Sequence, residues 1–358
     1  MPLELSDFDY RLPDRFIAQT PIAPRDTARL LVDRGDESPL HRRVDDLPDL
    51  LEPGDLLVVN DTRVIPARLA LRRDTGGAAE ALLLEPVSDD RRHWEALVRP
   101  GGKLRLGEEL YPNADAARDP LGAHAPGTGV EPIVRMGERT QAGDTFEIEL
   151  LGDLDPMSVL DRHGTMPLPP YIGTRLDDQD RYQTIYAAEP GSAAAPTAGL
   201  HFTDRLFERI ADRGVSRATV ELVVGLDTFQ PISTPDPLDH PMHTERYRVP
   251  QATWDACRAT RERGGRVVAI GTTAVRALES AAVRGELAGR TDLFISRGFE
   301  WQVVDAMMTN FHLPRTTLLM MIDAFIGPRW RSLYETALAS SYRFLSFGDA
   351  MLLTKDSR

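Results

Sequence analysis

The sequence has almost no cysteine, almost no lysine and no long apolar run. Its single cysteine, Cys257, excludes an internal disulfide framework and every cysteine-rich zinc site. No apolar segment approaches the roughly 18 residues that a membrane span needs. The N-terminal stretch MPLELSDFDYRLPDRF has acidic residues where a signal peptide has a basic segment followed by an apolar one. We therefore expect a cytoplasmic protein without a membrane partner.

Lysine is so scarce that nearly all the positive charge is arginine: only Lys103 and Lys355 occur among 42 basic residues, and the formal net charge is −13. Nucleic acid repels such a protein unless its arginines gather on one face. Arginine forks bind phosphate well, whereas pairing with surface aspartates is an equally good explanation. Two local groups occur: Arg11, Arg15, Arg25 and Arg29, and then Arg63, Arg68, Arg72 and Arg73.

Several common functional motifs are also missing: the P-loop, the GxGxxG fingerprint, the nucleophile elbow and the EF-hand. The segment DHPMHTE brings His240, His243 and Glu245 close together in sequence. This spacing matches no known zincin arrangement, and Pro241 argues against the helix that would align the three side chains. We therefore expect no metal site.

The 358 residues, 42% of them hydrophobic and 27% charged, are typical of a soluble globular chain with about two domains. Apolar runs predict strands at 55–60, 219–226, 266–270 and 292–299. The segment AVRALESAAV follows the third strand and is predicted to be helical, and 316–327 is predicted to be a buried helix because it is apolar nearly all round. Strands that alternate with helices indicate a mainly parallel α/β sheet or barrel.

The segment from about 66 to 150 has a different pattern, with the short alternating runs ARLALRR, EALLLEPV, HWEALV and TFEIELLG between glycine-rich turns. This pattern is typical of a small all-β module. Within it, 107–142 is rich in Gly, Ala, Pro and Asp with little periodicity, which predicts a long loop.

Four loops at predicted strand ends or helix starts carry polar residues suited to a site. In AAPTAGLHFTD, small residues allow close backbone approach and aim His201 at a ligand, although a packed histidine at a helix entry is the simpler alternative. Segment 271–273, GTT, opens a helix and offers free N–H groups to an anion, or is an ordinary helix start. The other two are GLDTF, with Asp227 and Thr228, and TNFHLPR, with Asn310, His312 and Arg315.

Taken together, these segments resemble the S-adenosylmethionine:tRNA ribosyltransferase-isomerases of queuosine synthesis. The matching stretches span residues 8 to 352, and AAPTAGLHF and TNFHLP are the most specific. The stretches are FDYRLPDRFIAQTP, NDTRVIPARL, MPLPPYI, YQTIYA, AAPTAGLHF, MHTE, IGTTAVRALES, VVDAMMTNFHLPRTTLLM and YRFLSFGDAML.

The resemblance implies an α/β fold, a distorted α/β barrel with an inserted small β-barrel domain. It places the discontinuous catalytic domain at 1–62 and 155–358 and the inserted domain at 63–154. It implies a transferase that moves the ribosyl part of S-adenosylmethionine onto the aminomethyl group of a 7-deazaguanine at the tRNA wobble position. Adenine and methionine leave, and the sugar becomes an epoxycyclopentanediol. The implied partners are S-adenosylmethionine, as donor substrate, and tRNA, with no metal, and we expect a monomer.

The resemblance also suggests roles for individual residues. The sulfonium makes the ribose 5′-carbon acidic, and a histidine suits the removal of its proton. His201 and His312 are the first candidates, His243 is the third, and Asp227 is a possible replacement acid or base. Segment 271–273 would hold the methionine carboxylate, with Arg276 assisting unless it is a buried structural arginine. The expected substrate-binding residues are Asn60, Thr62, Arg63, Pro196, Thr197, Ala198, Gly199, Phe202, Thr228, Phe229, Glu245, Gly271, Thr272, Thr273, Arg276, Asn310 and Arg315.

The sequence departs from the family pattern in two places. Val223 stands where the family motif HVGxGTF has histidine, and Ser296 and Arg297 replace a usual Tyr-Pro. Two other functions therefore stay open: the same donor chemistry on a free deazapurine or another small acceptor, and a catalytically weak relative that binds S-adenosylmethionine or RNA. Steep salt dependence would favour tRNA as the acceptor, and adenine release would exclude the weak relative.

Overall fold

The computed structural model describes residues 3–113, 130–140, 143, 145–174, 176, 178–225, 232, 234, 236–240, 242 and 244–355. The strands are β1 (Arg29–Arg34), β2 (Glu37–Arg43), β3 (Leu56–Asn60), β4 (Thr62–Val64), β5 (Arg68–Arg73), β6 (Ala78–Pro86), β7 (His93–Arg99), β8 (Glu109–Pro112), β9 (Val134–Arg139), β10 (Phe146–Leu150), β11 (Gly164–Thr165), β12 (Glu189–Ser192), β13 (Ser216–Leu222), β14 (Glu245–Arg248), β15 (Val267–Ile270), β16 (Ala288–Thr291), β17 (Ala306–Asn310) and β18 (Ala350–Thr354).

Seven α-helices lie in the described ranges, five of them in the second half of the chain. They are α1 (Leu47–Leu50), α2 (Pro156–His163), α3 (Asp204–Asp212), α4 (Gln251–Glu262), α5 (Gly271–Arg284), α6 (Thr317–Ile326) and α7 (Trp330–Ala339). Short 3₁₀ turns join them, including Arg25–Thr27, Gln179–Tyr182 and Thr197–His201. None of the helices in these described ranges is both long and apolar enough to span a membrane.

The chain folds into two compact units. The first comprises Met1–Arg63, Pro169–Glu189 and Ala195–Arg358, and the second comprises Val64–Leu168 and Pro190–Ala194. The fold is therefore of the α/β class, with the chain of the first unit interrupted in sequence by the second.

The first unit contains a mixed sheet of nine described strands in the order β16-β14-β13-β3-β15-β17-β18-β1-β2. Strands β13, β3, β15 and β17 run parallel to one another, and β18 is antiparallel to β17. Because parallel strands end at the same edge, the residues that follow β13, β3, β15 and β17 gather there. The sequence predicted this edge as the site, although the sheet is mixed rather than mainly parallel.

Local sequence explains the elements that frame this edge. Thr203 caps α3 by accepting the Leu206 N–H at 3.2 Å, and Gly214 follows the helix with φ of +77°, the left-handed conformation that is common just after a helix end. Helix α6 is buried along almost its whole length, as its apolar sequence predicts. The fully buried Glu279 carboxylate accepts the N–H groups of Gln302, Val303 and Val304 at 2.9–3.0 Å. These bonds fix α5 to the chain that leads into β17.

The second unit contains a closed six-stranded barrel in the order β5-β6-β7-β10-β9-β8, and a β5–β8 pairing completes the ring. Alternate residues of its strands are buried, as in β7 and β10, so the alternation predicted a β-rich module correctly. The sequence prediction of one long loop over 107–142 was wrong in part, because β8 and β9 lie within it. Their segments ELYP and VRMGER have too few apolar residues to be recognised as strands.

The predicted strand at 292–299 is also wrong. The strand lies just before it, in β16, and pairs with β14. In 292–299 only Ile295 is buried, and Phe299 donates its N–H to the Ser296 carbonyl in a turn that contains Gly298 at φ of +93°. The turn interrupts the apolar run, so these residues do not pair with a neighbouring strand. The first strand prediction, 55–60, is confirmed by β3 and the third by β15, whereas β13 ends at Leu222 and therefore before the predicted 226.

Candidate functional site

A cleft opens at the carboxyl edge of the parallel strands in the first unit, with a cavity volume of about 50 Å³. Three segments predicted from the sequence meet in it: the 195–198 loop, the start of α5 and the chain after β17. Its lining residues are Tyr171, Ala195, Pro196, Thr197, Ala198, Val224, Thr272, Thr273, Thr309, Asn310, Phe311, His312, Leu313, Thr316, Leu318, Leu345 and Ser346.

The small residues of the 195–201 segment allow it to pack closely on both sides. A Cβ on Gly199 would lie 2.0 Å from the Tyr186 hydroxyl, so only glycine fits at that position. Ala198 is buried in the main core cluster and also lines the cleft. Gly199 therefore lies against Tyr186 behind the loop, and backbone and small side chains face the cleft.

The N-terminus of α5 offers unpaired hydrogen-bonding groups to the cleft. Ile270 precedes the helix and provides no side-chain cap, so the first N–H groups lack a capping side chain. Thr272 and Thr273 line the cleft, and the buried Thr273 Oγ1 has no hydrogen-bond partner in the described structure. Free N–H groups at a helix start favour an anion. This end of the cleft is therefore suited to a carboxylate.

Asn310, the last residue of β17, connects the two histidine-bearing segments. Its Oδ1 accepts a hydrogen bond from Thr197 Oγ1 at 2.9 Å, and its Nδ2 donates to the Asp349 carbonyl at 3.3 Å. The same amide lies 3.4 Å from His201 Nε2. Asn310 thus holds the 195–201 segment against the sheet and lines the cleft itself.

His201 lies beside the cleft rather than in its lining. Burial lowers the pKa of His201 to about 4, a backbone hydrogen bond with Arg25 opposes this shift, and the charges of Arg343 and Arg25 add to it. The ring is therefore neutral at neutral pH. If the Asn310 amide donates to Nε2, the lone pair on that nitrogen is already engaged.

His312 lines the cleft directly. Burial lowers its pKa to about 3, so this ring is also neutral at neutral pH. Its Nε2 lies 3.0 Å from Thr309 Oγ1, its backbone N–H donates to Tyr334 Oη at 3.0 Å, and its carbonyl accepts from Tyr10 Oη. The two tyrosines fix the backbone from behind while the imidazole faces the cleft.

Two predicted substrate-binding residues have their polar atoms engaged inside the sheet. Asn60 exchanges hydrogen bonds with the Leu222 backbone at 3.1 and 3.2 Å, and Thr62 Oγ1 donates to the Leu222 carbonyl at 3.4 Å. Both are fully buried and tie the chain at the end of β3 and the start of β4 to the end of β13. Phe202 is also fully buried, stacked on Phe207 at 4.9 Å between ring centroids.

The predicted charged residues lie at different depths. Arg276 and Glu245 form a buried ion pair, and Arg276 Nε and Nη2 have no partner in the described part of the chain. Arg315 pairs with Asp9 at the surface, and Arg63 is exposed on β4. None of these four is among the described lining residues of the cleft.

Four predicted residues, His243, Asp227, Thr228 and Phe229, lie outside the described residues. Within the described ranges no group of three His, Cys, Asp or Glu side chains is arranged to hold a metal ion. Conversely, the cleft contains Tyr171 and Ser346, whose hydroxyls lie 2.6 Å apart and which the sequence prediction missed as site residues. Both belong to the matching stretches MPLPPYI and YRFLSFGDAML, so the signal was present in the sequence. Burial raises the pKa of Tyr171 to about 12.

Comparison with known proteins gives consistent results. Residues 5–353 match the family described as "Queuosine biosynthesis protein". A relative from Azoarcus sp. strain BH72 is 47% identical, with 99% of each chain covered, and one from Nostoc sp. strain PCC 7120 is 44% identical, covering 99% of this chain and 92% of the relative. Both are named S-adenosylmethionine:tRNA ribosyltransferase-isomerase.

A solved structure is also similar over nearly the full length. It is the crystal structure of an S-adenosylmethionine tRNA ribosyltransferase from Thermotoga maritima, with 37% sequence identity and a TM-score of 0.53. The match covers 97% of this chain and 99% of that chain.

Proposed function

Because this chain belongs to the queuosine biosynthesis protein family, we propose that it is an S-adenosylmethionine:tRNA ribosyltransferase-isomerase. It transfers the ribosyl part of S-adenosylmethionine to the aminomethyl group of a 7-deazaguanine at the tRNA wobble position, and adenine and methionine are released. The observation that carries the proposal is the cleft itself, since neutral His312 and the uncapped start of α5 face the same space.

The start of α5 binds the carboxylate of the methionine part of the donor. Helix N–H groups and the positive end of the helix dipole favour a negative group here. The buried Thr273 Oγ1 lacks a partner and supplies a hydroxyl donor to the same group. Arg276 lies one turn further along α5, and its charge is already paired with Glu245, so we assign it to support of this helix end rather than to direct contact.

His312 is the base that removes a proton from the ribose 5′-carbon. The proton moves to the imidazole, and the electron pair stays on the carbon beside the positively charged sulfur. A base must reach its proton, either at hydrogen-bond distance or through one water. His312 lines the same cleft as Thr272 and Thr273, whereas His201 lines a neighbouring cavity. Accessibility therefore favours His312.

The experiment incubates the protein with S-adenosylmethionine and a tRNA that carries the 7-aminomethyl-7-deazaguanine precursor, and digests of the tRNA are analysed by mass spectrometry. We expect the epoxycyclopentanediol adduct on the wobble nucleoside, with one adenine and one methionine released per adduct. Modification of the free base but not of tRNA would instead support a small-molecule acceptor. Adenine release from neither acceptor would overturn the proposal.

His312→Gln and His201→Gln separate the two candidate bases. With His312→Gln we expect adenine release to fall by at least 100-fold, in line with the loss of a general base, while the variant still binds the donor in equilibrium dialysis. With His201→Gln we expect the larger part of kcat to remain. The reverse pattern would make His201 the base.

We infer that the large sheet is part of a distorted α/β barrel, with 1–62 and 155–358 as the catalytic domain and 63–154 as the inserted domain. The shared carboxyl edge of β13, β3, β15 and β17 supports the barrel. Action on tRNA supports a cytoplasmic location, and we propose that the enzyme works as a monomer.

A further inference from the structure

A second, smaller cavity lies beside the cleft in the first unit, and Ser346 lines both of them. Its volume of about 10 Å³ admits one water-sized group and no nucleoside. Only one or two atoms of a larger molecule can therefore enter this cavity, and the rest of that molecule lies at the cavity mouth. The lining residues are Pro21, Ile22, Arg25, Arg181, Leu200, His201, Ser346 and Phe347.

Two arginines line this cavity and a third, Arg343, lies near it in sequence, and backbone carbonyls hold all three in place. Arg25 donates to the Gln183 carbonyl at 3.1 Å and Arg181 to the Ile22 carbonyl at 2.5 Å. Arg343, close to the lining residues Ser346 and Phe347 in sequence, donates to the carbonyls of Thr20 at 3.2 Å and Phe347 at 2.9 Å. A carbonyl fixes a guanidinium but does not neutralise its charge. Among the described residues, none of the three guanidinium groups forms an ion pair with a carboxylate within 4 Å.

The positive charge also affects the titratable groups next to it. The pKa of Arg25 is lowered, first by burial and then by the charge of Arg181, and Asp178 only partly opposes this. Arg343 and Arg25 likewise disfavour protonation of His201. In addition, the buried Arg181 Nε has no hydrogen-bond partner in the described structure. Within the described residues, Arg25 and Arg181 therefore present guanidinium groups without an ion pair to the cavity that they line.

We propose that Arg25 and Arg181, with Arg343 behind them, form a phosphate subsite that binds one phosphodiester of the RNA strand next to the nucleotide in the cleft. Planar guanidinium groups match the oxygens of a phosphate. Ser346 lines both cavities and so joins the subsite to the cleft. The inference rests on the proposed function, since it takes RNA as the acceptor.

The test measures equilibrium binding of a fluorescent anticodon stem-loop RNA, by anisotropy, at several salt concentrations. For Arg25→Gln and Arg181→Gln we expect about tenfold weaker binding, the loss of one charge-assisted hydrogen bond. We also expect the slope of log K against log salt to become shallower by about 0.7–1, the value for one lost phosphate contact. Glutamine keeps an N–H for the carbonyl, and the melting temperature checks that each variant is folded.

Arg258→Gln is the matched control, because Arg258 is exposed on α4 and only loosely paired with Asp255 at 3.6 Å. It removes the same charge, and we expect wild-type affinity and salt slope. Arg181→Lys keeps the charge without the fork and should recover the slope but only part of the affinity. If Arg25→Gln and Arg181→Gln bind the stem-loop like Arg258→Gln, the subsite does not bind RNA.

Two further measurements distinguish an RNA phosphate from the donor carboxylate as the anion that binds these arginines. Inorganic phosphate is titrated against stem-loop binding, and the KM for S-adenosylmethionine is measured for each variant. We expect millimolar phosphate to compete in the wild type more than in Arg181→Gln, and the KM for the donor to stay within twofold. A raised KM for the donor with unchanged RNA binding would assign the arginines to the donor carboxylate and overturn the inference. Because RNA binding is read without turnover, an inactive wild type would count against the proposed function alone.

Discussion

At the scale of single residues, hydrogen-bond partners distinguish the site from the framework. Asn60 and Thr62 have polar side chains next to a strand end, as Thr272 does, yet both bond to the Leu222 backbone. Thr273 is the opposite case, with a buried hydroxyl and no partner in the described structure. A buried polar group without a partner is costly, and under the proposed function we infer that the donor substrate provides the missing bond to Thr273.

Thr273→Val tests this interpretation, because it removes the hydroxyl and keeps the shape of the side chain. We expect binding of S-adenosylmethionine to weaken by about tenfold, the range of one hydrogen bond to a charged group. The melting temperature should be unchanged or slightly higher, since no bond within the protein is lost. Isothermal titration calorimetry with the donor measures the affinity. Thr273→Ser keeps the hydroxyl and should bind like the wild type; equal affinity of the valine and serine variants would contradict the assignment.

At the scale of elements, the turn from β15 into α5 depends on a glycine. Gly271 has φ of +85°, a conformation that costs other residues about 1–2 kcal/mol. A Cβ there would lie 3.6 Å from the Ala198 Cβ, which is an ordinary contact. The requirement for glycine is therefore conformational, and it determines the direction in which the first N–H groups of α5 point.

Gly271→Ala should lower the free energy of unfolding by about 1–2 kcal/mol and also raise the KM for S-adenosylmethionine severalfold, because relief of the strain turns the helix start. Gly285→Ala is the control at the other end of the same helix, with φ of +69° and no atom within 4 Å of the added Cβ. We expect a similar loss of stability there with an unchanged KM. Urea unfolding and initial-rate kinetics measure the two effects. A wild-type KM in Gly271→Ala would refute the link between this turn and the donor.

Elements of regular pattern could be predicted from the sequence, and those set by distant contacts could not. The capped helix α3, the apolar helix α6 and strands β3 and β15 follow from local signals, and the structure has all of them. Strands β8 and β9 are held by their neighbours in the barrel rather than by their own composition, so periodicity did not reveal them. The candidate site shows the same limit. Motifs identified the segments around His312 and Thr273, but only the fold shows that Asn60 bonds within the sheet or that Arg181 faces Arg25 across 156 residues of sequence separation.

At the scale of the whole molecule, the protein is acidic but has local positive charge at the second cavity. The chain is acidic, with a net charge of −13, which repels RNA at long range. Arg25 and Arg181, which line the second cavity, are bonded to carbonyls and have no ion pair among the described residues, so they provide local positive charge. We therefore expect RNA recognition to depend on a few fixed guanidinium groups and to weaken steeply as salt rises.

The two buried histidines also couple the stability of the molecule to pH. Burial lowers the pKa of His201 to about 4 and that of His312 to about 3, from an ordinary 6.5 in the unfolded chain. Above pH 6.5 these rings are neutral in both the folded and the unfolded protein, so the two histidines do not lower the free energy of unfolding. As the pH falls below 6.5 the unfolded chain binds protons that the folded protein does not, so stability is lost until the folded pKa values are reached.

Urea unfolding followed by circular dichroism between about pH 7 and pH 5 measures this loss. Each histidine contributes at most about 1.4 kcal/mol per pH unit to the decline, and carboxylates add to it. In the double variant His201→Gln/His312→Gln we expect the decline to become shallower, whatever its stability at pH 7. His93→Gln is the control, because His93 is about 43% exposed beside Glu147, and it should keep most of the wild-type slope. If the double variant loses stability with falling pH as steeply as the wild type, these rings are protonated in the folded protein, and a neutral His312 is no longer available as the base.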